Sequence, residues 1–503
     1  MSKKRSTIRF KSVNNNEYLY DDSSSMIYPW NNIYEEILTL LENNDILKVN
    51  EILYLKYGQV YKNETDHILR LIINNNSFYK NISSYKQPDV LNIKNYIEEN
   101  ITEQMTLCIT NQCNMRCKYC IYSDNYEMTK NWNNEYMSKD IALHAVNYFI
   151  NIIKKRIQKS FSKTFTIGFY GGEPLLNMEL IYKVVNLVKS NKDISPYIQF
   201  TITTNGLLLN EDNIKYIANN KFLLILSLDG PKDEHDRLRV GSNNNGTYDA
   251  LIEKINYIRE NYPNYFNSYV GLSSVYDIYS NLDMIESYFS SLSIKKQLPS
   301  NFRVSAVSGV STDYYNQFKA SDFKKHENQI LRLKEKYIQN IRNKKLSSSY
   351  LENIIGMSLI SIYARRRKQD KTIELLPPSG ACIPGKKLYV ECNGNIQICE
   401  KVNCQQPIGN VWKGLDENMI TDILHKYKLL VYEKCKICPI SNLCQLCYMH
   451  FEEKDGFVIE EKRMEICNKY IDSVTKDLEF YSSILEIDDK PLFLEKTGKP
   501  NII

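Results

Sequence analysis

The chain has 503 residues, of which 43% are hydrophobic and 24% are charged, and its formal net charge is +5. This length suffices for two or three domains with cores of their own, and the composition is that of a soluble globular protein. The small, dispersed positive charge argues against nucleic acid as a partner. No apolar run is long enough for a signal peptide or a membrane span, which predicts a cytoplasmic protein with no membrane partner.

Residues 1–95 are predicted to form a small separate module. The stretch from Phe10 to Trp30 alternates apolar and polar residues around an Asn run and an Asp-Ser run, which indicates a β-hairpin or three short strands. Apolar residues at helical spacing follow from Ile33 onward, and DHILRLIINNN predicts a further helix. Short strands followed by helices suggest a winged-helix-like unit.

From residue 100 to about 310 the pattern alternates strands with helices. Repeated βα units predict an α/β fold with a parallel sheet, doubly wound or curved into a barrel, and ligands at the carboxyl ends of the strands. The candidate strands are QMTLCIT, TFTIGFY, YIQFTIT, FLLILSL, SYVGLSSV and FRVSAV. Four motifs follow the first four strands in chain order: CNMRCKYC, GGEP, TTNG and SLDG.

The rest of the chain falls into three predicted segments. Residues 311–375 are a helical connector, whose ARRRK run at 364–368 is interpreted as a solvated helix end. Residues 376–475 are rich in Gly, Pro and Cys, so we expect metal sites to hold them together in place of a large apolar core. Residues 476–503 are predicted as a closing helix and tail.

The 13 cysteines are confined to two short parts of the chain, with four between 108 and 120 and nine between 382 and 467. In a cytosolic chain this clustering favours metal sites, whereas disulfides require secretion and would leave one cysteine unpaired. Cys113, Cys117 and Cys120 supply three thiolates from one loop. Structural zinc takes four ligands, but three thiolates on a four-cornered [4Fe–4S] cluster leave one iron open, which is the reading we favour.

The stretch CNMRCKYC resembles the CxxxCxxC signature of the radical S-adenosylmethionine (SAM) enzymes, including the aromatic Tyr119 before the last cysteine. The resemblance implies a partial (β/α)6 barrel and a [4Fe–4S] cluster whose open iron binds SAM. It implies that SAM cleavage yields a 5′-deoxyadenosyl radical, which removes a hydrogen atom from the substrate, and that a donor such as flavodoxin or ferredoxin supplies the electron. Cys108 is interpreted as a core thiol of the first strand.

The other strand-end motifs resemble SAM-binding positions of that family. The glycines of GGEP would let the backbone approach the ligand, and Glu173 would accept hydrogen bonds from the methionine ammonium. TTNG and SLDG resemble positions that face the ribose or the carboxylate. Arg239 is a candidate carboxylate partner, because guanidinium binds carboxylates through two hydrogen bonds. The predicted SAM-binding residues are Tyr119, Gly171, Gly172, Glu173, Thr204, Asn205, Ser227 and Arg239; no general base can be named.

The C-terminal cysteines resemble the SPASM extension, which binds two auxiliary [4Fe–4S] clusters in radical SAM enzymes that modify peptides and proteins. By that resemblance, one auxiliary cluster is assigned to Cys382, Cys399 and Cys447, with Cys392, Cys404 or an open position completing it. The other is assigned to Cys435, Cys438, Cys444 and Cys467. The spacing CxxC-x5-CxxC departs from the family's CxxC-x5-CxxxC and shifts the last sulfur. A zinc ribbon is the alternative for these cysteines.

The SPASM-like extension implies a polypeptide substrate. CIPGKKLYVECNGNIQICEKV and CKICPISNLCQLCY look most like maturases that form Cys thioether (sulfur-to-carbon) crosslinks in ribosomally synthesised peptides. Residues 1–95 would then bind the leader of the precursor peptide as an added β-strand. The alternatives on this scaffold are formylglycine formation, as in sulfatase maturases, carbon–carbon crosslinking and epimerisation. An alternative of another class is a non-catalytic metal-binding regulator.

Overall fold

The structure is a computed structural model that describes residues 6–58, 65–66, 68–70, 93–126, 131–158, 164–295, 297–299, 301–364, 381–401, 406–435, 437–453 and 456–488. Cys404, most of the ARRRK run and most of the helix predicted in DHILRLIINNN lie outside the described residues. None of the helices within these ranges has the length and apolar character needed to cross a membrane.

The N-terminal residues form a three-stranded antiparallel sheet followed by helices. Its strands are β1 (Thr7–Lys11), β2 (Glu17–Asp21) and β3 (Met26–Pro29), and the helices Asn32–Asn43 and Ile46–Tyr57 follow. Leu19 and Tyr28 pack in a small core with Ile37 of the first helix. Phe10 and Tyr20 instead belong to the main core of the molecule, since side chains alternate between the two faces of a strand. The small sheet therefore packs on the rest of the chain as well as on its own helices.

Six parallel strands, each hydrogen-bonded to the next in chain order, form the central sheet. They are β4 (Gln104–Thr110), β5 (Phe165–Gly171), β6 (Ile198–Thr204), β7 (Leu223–Ser227), β8 (Val270–Tyr276) and β9 (Asn301–Ala306). The helices among them are Ile93–Asn100, Lys139–Gln158, Met178–Ser190, Glu211–Asn219, Lys232–Leu238, Tyr248–Asn261, Pro263–Tyr269 and Leu282–Ile294. The predicted α/β fold with a parallel sheet is confirmed, and each of the six predicted strands is present within two residues of its predicted bounds.

The C-terminal segment extends the same sheet beyond β4. The strand β10 (Lys387–Val390) pairs with β4 in parallel, and β11 (Asn395–Gln397), β12 (Gly409–Asn410) and β13 (Gly414–Leu415) follow in antiparallel order. Leu388 and Val390 are fully buried in the main core. The cysteine-rich segment therefore shares the main apolar core of the molecule. The sequence instead predicted a segment with little apolar core, held together by metal sites.

The remaining helices pack around this sheet. They are Ala320–Arg342, Ser349–Leu351, Met357–Tyr363, Glu417–Tyr427, Glu433–Cys435, Tyr448–Phe451 and Glu460–Ile487, with a short hairpin of β14 (Glu452–Glu453) and β15 (Gly456–Phe457). The last helix carries Cys467 near its start and runs continuously through residue 476. The predicted boundary between the cysteine-rich segment and the tail thus falls inside one helix.

Candidate functional site

The three-cysteine loop begins directly after β4, at the carboxyl edge of the sheet. Backbone hydrogen bonds attach it to a segment beyond β7: the Arg116 N–H donates to the Val240 carbonyl oxygen (2.8 Å) and the Lys118 N–H to that of Leu238 (2.9 Å). Arg239 lies between these two acceptors in the chain, so the pairing brings its guanidinium to the loop. The cysteines of the loop are Cys113, Cys117 and Cys120.

The environment of these cysteines disfavours bare thiolates. Burial raises the pKa of Cys113 to about 11 and that of Cys120 to about 12, and the neighbouring Cys117 adds to both shifts. Burial also raises the pKa of Cys117, against the effect of Arg239. Buried thiols of this kind stay protonated at neutral pH unless a metal replaces the proton. The loop is therefore suited to a soft metal centre that holds all three sulfurs as thiolates.

The two glycines of GGEP lie very close to the backbone of the segment that follows β4. A Cβ on Gly171 would lie 2.1 Å from the Thr110 carbonyl oxygen, and one on Gly172 would lie 2.1 Å from that of Gln112. Gly171 also has a φ of +139°, which side-chain-bearing residues rarely adopt. The glycines therefore let β5 end against the cysteine loop. Both also line the cavity described below, and their approach to a ligand stays a prediction.

The Glu173 carboxylate is almost fully buried and accepts three hydrogen bonds from the protein. Its Oε1 accepts from the Leu175 N–H (3.0 Å) and the Thr204 hydroxyl (2.6 Å), and its Oε2 accepts from the Asn205 N–H (2.9 Å). A carboxylate has about four acceptor positions, so one on Oε2 is left for a ligand. Burial raises the pKa of Glu173, whereas these donors lower it. Glu173 can therefore accept from a ligand ammonium, as the sequence predicts.

Thr204 ends β6, Asn205 follows it and Ser227 ends β7. The polar groups of these three predicted residues have different partners. The Thr204 hydroxyl is used on Glu173, and the Asn205 side chain donates to Asn114 Oδ1 (2.8 Å) in the cysteine loop. Ser227 lines the cavity, and its hydroxyl has no hydrogen-bond partner among the described residues. Thr204 and Asn205 thus hold Glu173 and the loop in place, while Ser227 has a hydroxyl free for a ligand.

A buried trio that includes Asp229 orients Arg239. The Tyr119 hydroxyl donates to Asp229 Oδ2 (2.7 Å) and accepts from Arg239 Nη1 (2.7 Å). Burial opposes the charge on Arg239, but Tyr119, Cys117 and Asp229 raise its pKa well above the usual value, so it stays a cation. Asp229 lies in the SLDG motif but is not among the predicted SAM-binding residues. Its position as an acidic residue at the carboxyl end of a predicted buried strand was the signal that could have identified it.

Arg239 also carries an unsatisfied donor. Its side chain is 7% exposed, and within the described part of the chain its Nε–H is buried without a hydrogen-bond partner. An unpaired buried donor on a cation is costly unless a ligand completes it. A carboxylate, which guanidinium binds through two N–H groups, is the complement of this site. The residues present therefore fit the carboxylate of an amino-acid-like ligand such as SAM.

The predicted residues line one cavity of about 500 Å3, a volume typical of sites for small molecules. Part of its wall consists of the three cysteines, Glu173, Ser227 and Arg239 at the edge of the central sheet. Another part of the wall comes from the cysteine-rich segment and was not predicted. It consists of Glu400, Lys401, Met449, His450 and Glu452.

Two residues of this unpredicted wall are next to auxiliary cysteines. The Cys447 N–H donates to His450 Nδ1 (3.2 Å), and the Lys401 N–H donates to Cys399 Sγ (3.4 Å). Because Nδ1 of His450 is an acceptor, a neutral ring carries its proton on Nε2. His450 Nε2 and the Lys401 ammonium have no hydrogen-bond or ion-pair partner among the described residues. This part of the wall can thus donate hydrogen bonds to a ligand in the cavity.

The C-terminal cysteines have other cysteines among their neighbours. Burial raises the pKa of Cys399 to about 12 with Cys447 among its charged neighbours, and Cys447 in turn is raised by burial and by Cys382. Burial likewise raises the pKa of Cys444 to about 12, with Cys438 and Cys467 as neighbours. The Cys438 N–H donates to the Cys435 carbonyl oxygen (3.2 Å). Whether each of the two groups assigned from the sequence holds a cluster stays a prediction.

Of the two cysteines named as a fourth ligand, the structure describes Cys392. Its side chain is 3% exposed, and its thiol donates to the Cys108 carbonyl oxygen (3.0 Å) in the barrel core. This placement favours a core role for Cys392. Within the described ranges, no three His, Cys, Asp or Glu side chains converge as a single metal ion requires, so metal analysis must decide between clusters and zinc.

Replacement of Asp229 by Asn is expected to weaken SAM binding about 10-fold while iron on the three-cysteine loop is retained. The amide keeps the shape of the carboxylate but removes the charge that helps to hold Tyr119 and Arg239 in position, a loss of about 1.4 kcal/mol. Equilibrium dialysis of SAM with the anaerobically reconstituted variant measures the effect. Unchanged SAM affinity would show that Asp229 does not position Arg239.

Comparison with known proteins points to one family. A family model for the Radical SAM superfamily matches residues 107–278. The Cysteine-type anaerobic sulfatase-maturating enzyme of Clostridium novyi is 31% identical over 147 residues, which are 29% of this chain and 37% of that protein. The Radical SAM cyclopropyl synthase TigE of Paramaledivibacter caminithermalis is 27% identical over 274 residues, 49% of this chain and 55% of that protein. The chain thus covers less than two thirds of each of these relatives.

A longer alignment and a solved structure extend the similarity. The Cysteine-type anaerobic sulfatase-maturating enzyme of Clostridium perfringens is 25% identical over 348 residues, 66% of this chain and 85% of that protein. The structure of native anSMEcpe with bound AdoMet superposes with a TM-score of 0.52 at 20% identity and covers 75% of this chain and 99% of that one. At this identity the structural likeness shows the shared fold.

Proposed function

Residues 107–278 form a radical SAM domain, and we propose that the chain uses it to crosslink a ribosomally synthesised precursor peptide through Cys thioether bonds. The observation that carries this proposal is the shared cavity. The same cavity is lined by the predicted cluster and SAM residues and by Lys401 and His450, which are hydrogen-bonded to Cys399 and Cys447. A substrate side chain in this cavity would be near both sets of cysteines.

The barrel residues have distinct roles in this proposal. When bound, SAM and its [4Fe–4S] cluster supply a 5′-deoxyadenosyl radical that removes a hydrogen atom from the substrate. The cluster would be held by Cys113, Cys117 and Cys120. Glu173 would accept from the ammonium of SAM, Arg239 would donate to its carboxylate, and the free Ser227 hydroxyl would bind the ribose or the carboxylate. Burial of these groups excludes water, which strengthens each contact.

The chemistry of thioether formation fits a cavity that lies near both sets of cysteines. One C–H and one S–H bond of the peptide break and one C–S bond forms, so the peptide loses two hydrogens. One hydrogen atom goes to the adenosyl radical, and the thiol loses a proton and the peptide an electron. That electron needs an acceptor, and the two auxiliary cysteine groups are suited to electron-accepting clusters. Lys401 and His450 would bind acceptor oxygens of the peptide in the cavity.

Formylglycine formation is the second candidate, and the relatives support it equally. Two of them are cysteine-type sulfatase-maturating enzymes. Their chemistry would also begin with hydrogen abstraction near a substrate cysteine, but it would end with the loss of sulfur and the gain of a carbonyl oxygen. The cavity accommodates a cysteine side chain in either case, so the product must decide between the two.

The decisive experiment is a search of the neighbouring genes for a short, cysteine-rich open reading frame, followed by anaerobic co-expression of the chain with the peptide that such a frame encodes. Thioether formation is expected to remove two hydrogens per crosslink and to block alkylation of one thiol by iodoacetamide. A Cys117→Ala enzyme should leave the peptide unmodified. Loss of two hydrogens with all thiols still alkylated would indicate carbon–carbon crosslinks, a hydrazide-reactive product would indicate formylglycine, and an unchanged mass with altered stereochemistry would indicate epimerisation. Each of these three results would overturn the thioether proposal.

The partners follow from the same proposal. The N-terminal sheet and helices would bind the leader of the precursor peptide, and an electron donor such as flavodoxin or ferredoxin would reduce the cluster. Deletion of residues 1–95 is unsuitable as a test of the first point, because β1 and β2 pack on the main core. Titration of the intact enzyme with a labelled leader peptide, followed by fluorescence anisotropy, measures leader binding directly.

A further inference from the structure

The turn between β2 and β3 packs on the loop between two predicted ligands of the second auxiliary cluster. This turn is residues 22–25, and the loop is residues 439–443, between Cys438 and Cys444. The Ser441 hydroxyl donates to Asp22 Oδ2 (2.6 Å), and the Asn442 N–H donates to Asp22 Oδ1 (2.8 Å). One carboxylate of the N-terminal sheet thus holds the side chain and the backbone of neighbouring loop residues.

The contact is buried, and the loop is the donor in each of its hydrogen bonds. Asp22 is fully buried and Ser441 is 1% exposed. The Asn442 side chain donates two further hydrogen bonds, to the Asp22 carbonyl oxygen (2.5 Å) and the Ser25 hydroxyl (3.0 Å). A buried carboxylate is tolerated only when its acceptor positions are filled, and the Tyr20 hydroxyl also donates to Asp22 Oδ1 (3.2 Å). The loop therefore has one arrangement that satisfies this charge.

A second anchor joins the N-terminal sheet to the helix that carries Cys467. Glu486 of helix Glu460–Ile487 accepts hydrogen bonds from the side chains of Asn14 (2.6 Å), Asn16 (3.0 Å) and Tyr18 (2.8 Å). Glu486 is 19 positions beyond Cys467 in the chain, whereas Asp22 bonds residues two and three positions from Cys444. Of these two anchors, only the one at Asp22 is close in the chain to a predicted cluster ligand. A change at Asp22 can therefore serve as the test, and a change at Glu486 as its control.

We propose that Asp22 is a positioning residue for the second auxiliary cluster, which makes the N-terminal sheet part of that cluster's binding site. This inference rests on the proposed function, since it requires the cluster on Cys435, Cys438, Cys444 and Cys467. Asp22 would fix residues 441 and 442 of the loop that joins Cys438 to Cys444, and so the positions from which both sulfurs extend. Without the carboxylate, the buried Ser441 hydroxyl and Asn442 N–H lose their acceptor and the loop no longer has one favoured arrangement.

The test is anaerobic reconstitution of the full chain with Asp22→Ala, followed by iron analysis and electron paramagnetic resonance. With three [4Fe–4S] clusters the unaltered chain should bind about 12 iron atoms, and Asp22→Ala should bind about 8. The cluster on the three-cysteine loop should give a resonance that changes when SAM is added. This resonance should persist in the variant, and its presence would show that residues 107–278 are folded. Asp22→Asn keeps an acceptor for the Asn442 N–H, so this variant should retain the iron and the signal that Asp22→Ala lacks.

The matched control is Glu486→Gln, which weakens the other anchor and should leave iron content and both auxiliary signals unchanged. Full iron and unchanged auxiliary signals in Asp22→Ala would overturn the inference, and so would equal iron loss in Glu486→Gln. Should Asp22→Ala fail to fold, Ser441→Ala removes one donor from the other side and should lower the yield of the same cluster. An unaltered chain with about 4 iron atoms would instead refute the auxiliary clusters themselves.

Discussion

Cys117→Ala is expected to lower reductive SAM cleavage to the uncatalysed level. Removal of one sulfur leaves two thiols on a loop whose burial already raises the pKa of the remaining Cys113 and Cys120, so neither the cluster nor its open iron should be retained. The measurement is 5′-deoxyadenosine formed after dithionite reduction of the reconstituted protein, quantified by chromatography. Iron bound to the variant should fall by about four atoms, the content of one cluster.

Cys108→Ala is the matched control for this prediction. Cys108 precedes the loop by five residues and is fully buried in β4, where its thiol lies 3.3 Å from Asn111 Oδ1. The variant should lower the free energy of unfolding by about 1–3 kcal/mol and retain the iron and SAM cleavage. Tetrahedral zinc on the loop of the unaltered chain, or full 5′-deoxyadenosine formation by Cys117→Ala, would contradict the cluster assignment. A chain that never cleaves SAM would favour the metal-binding regulator.

The parallel sheet was predictable because its signals are local. Each of β4 to β9 is a short apolar run between polar turns, and the alternation with amphipathic helices reveals the βα order. The pairing of β10 with β4 was not predictable in the same way. Lys387–Val390 is only four residues long, and it joins a strand that precedes it by almost 280 residues. Pairing at such a distance depends on the packing of Leu388 and Val390 in the barrel core, which no local pattern reports.

The candidate site was likewise predictable from the sequence only where its residues are close together in the chain. The cysteines and the strand-end motifs were identified because several chemistry-bearing residues lie within a few positions of one another. Glu400 and His450 are single polar residues that only folding brings to the cavity, and only folding places Asp229 against Tyr119, which lines it. Roles within the motifs were also hidden: Thr204 was expected to face the ligand, but its hydroxyl is used to hold Glu173. Hydrogen-bond partners of this kind depend on the spacing between strands, which the sequence does not state.

Neutralisation of Arg239 is expected to weaken SAM binding about 100-fold, or about 2.7 kcal/mol. Arg239 is 7% exposed and its Nε–H is unpaired within the described ranges, so a ligand carboxylate would receive a charge-assisted pair of hydrogen bonds. Arg239→Lys keeps the charge but not the two-pronged geometry, and it should lose about 10-fold. Equilibrium dialysis and the effect of SAM on the resonance of the reconstituted cluster measure both variants.

A single Arg239→Gln change has a second effect that must be separated from the first. It leaves the buried Asp229 carboxylate without the cation that shares the Tyr119 hydroxyl with it, so the variant should also lose stability. The double variant Arg239→Gln/Asp229→Asn removes both charges, so it should fold better than the single variant and still fail to bind SAM. SAM affinity restored in the double variant would show that Arg239 supports the fold of the site without contacting the ligand. Loss of affinity in both variants, with iron retained, is the result that a direct contact to the carboxylate requires.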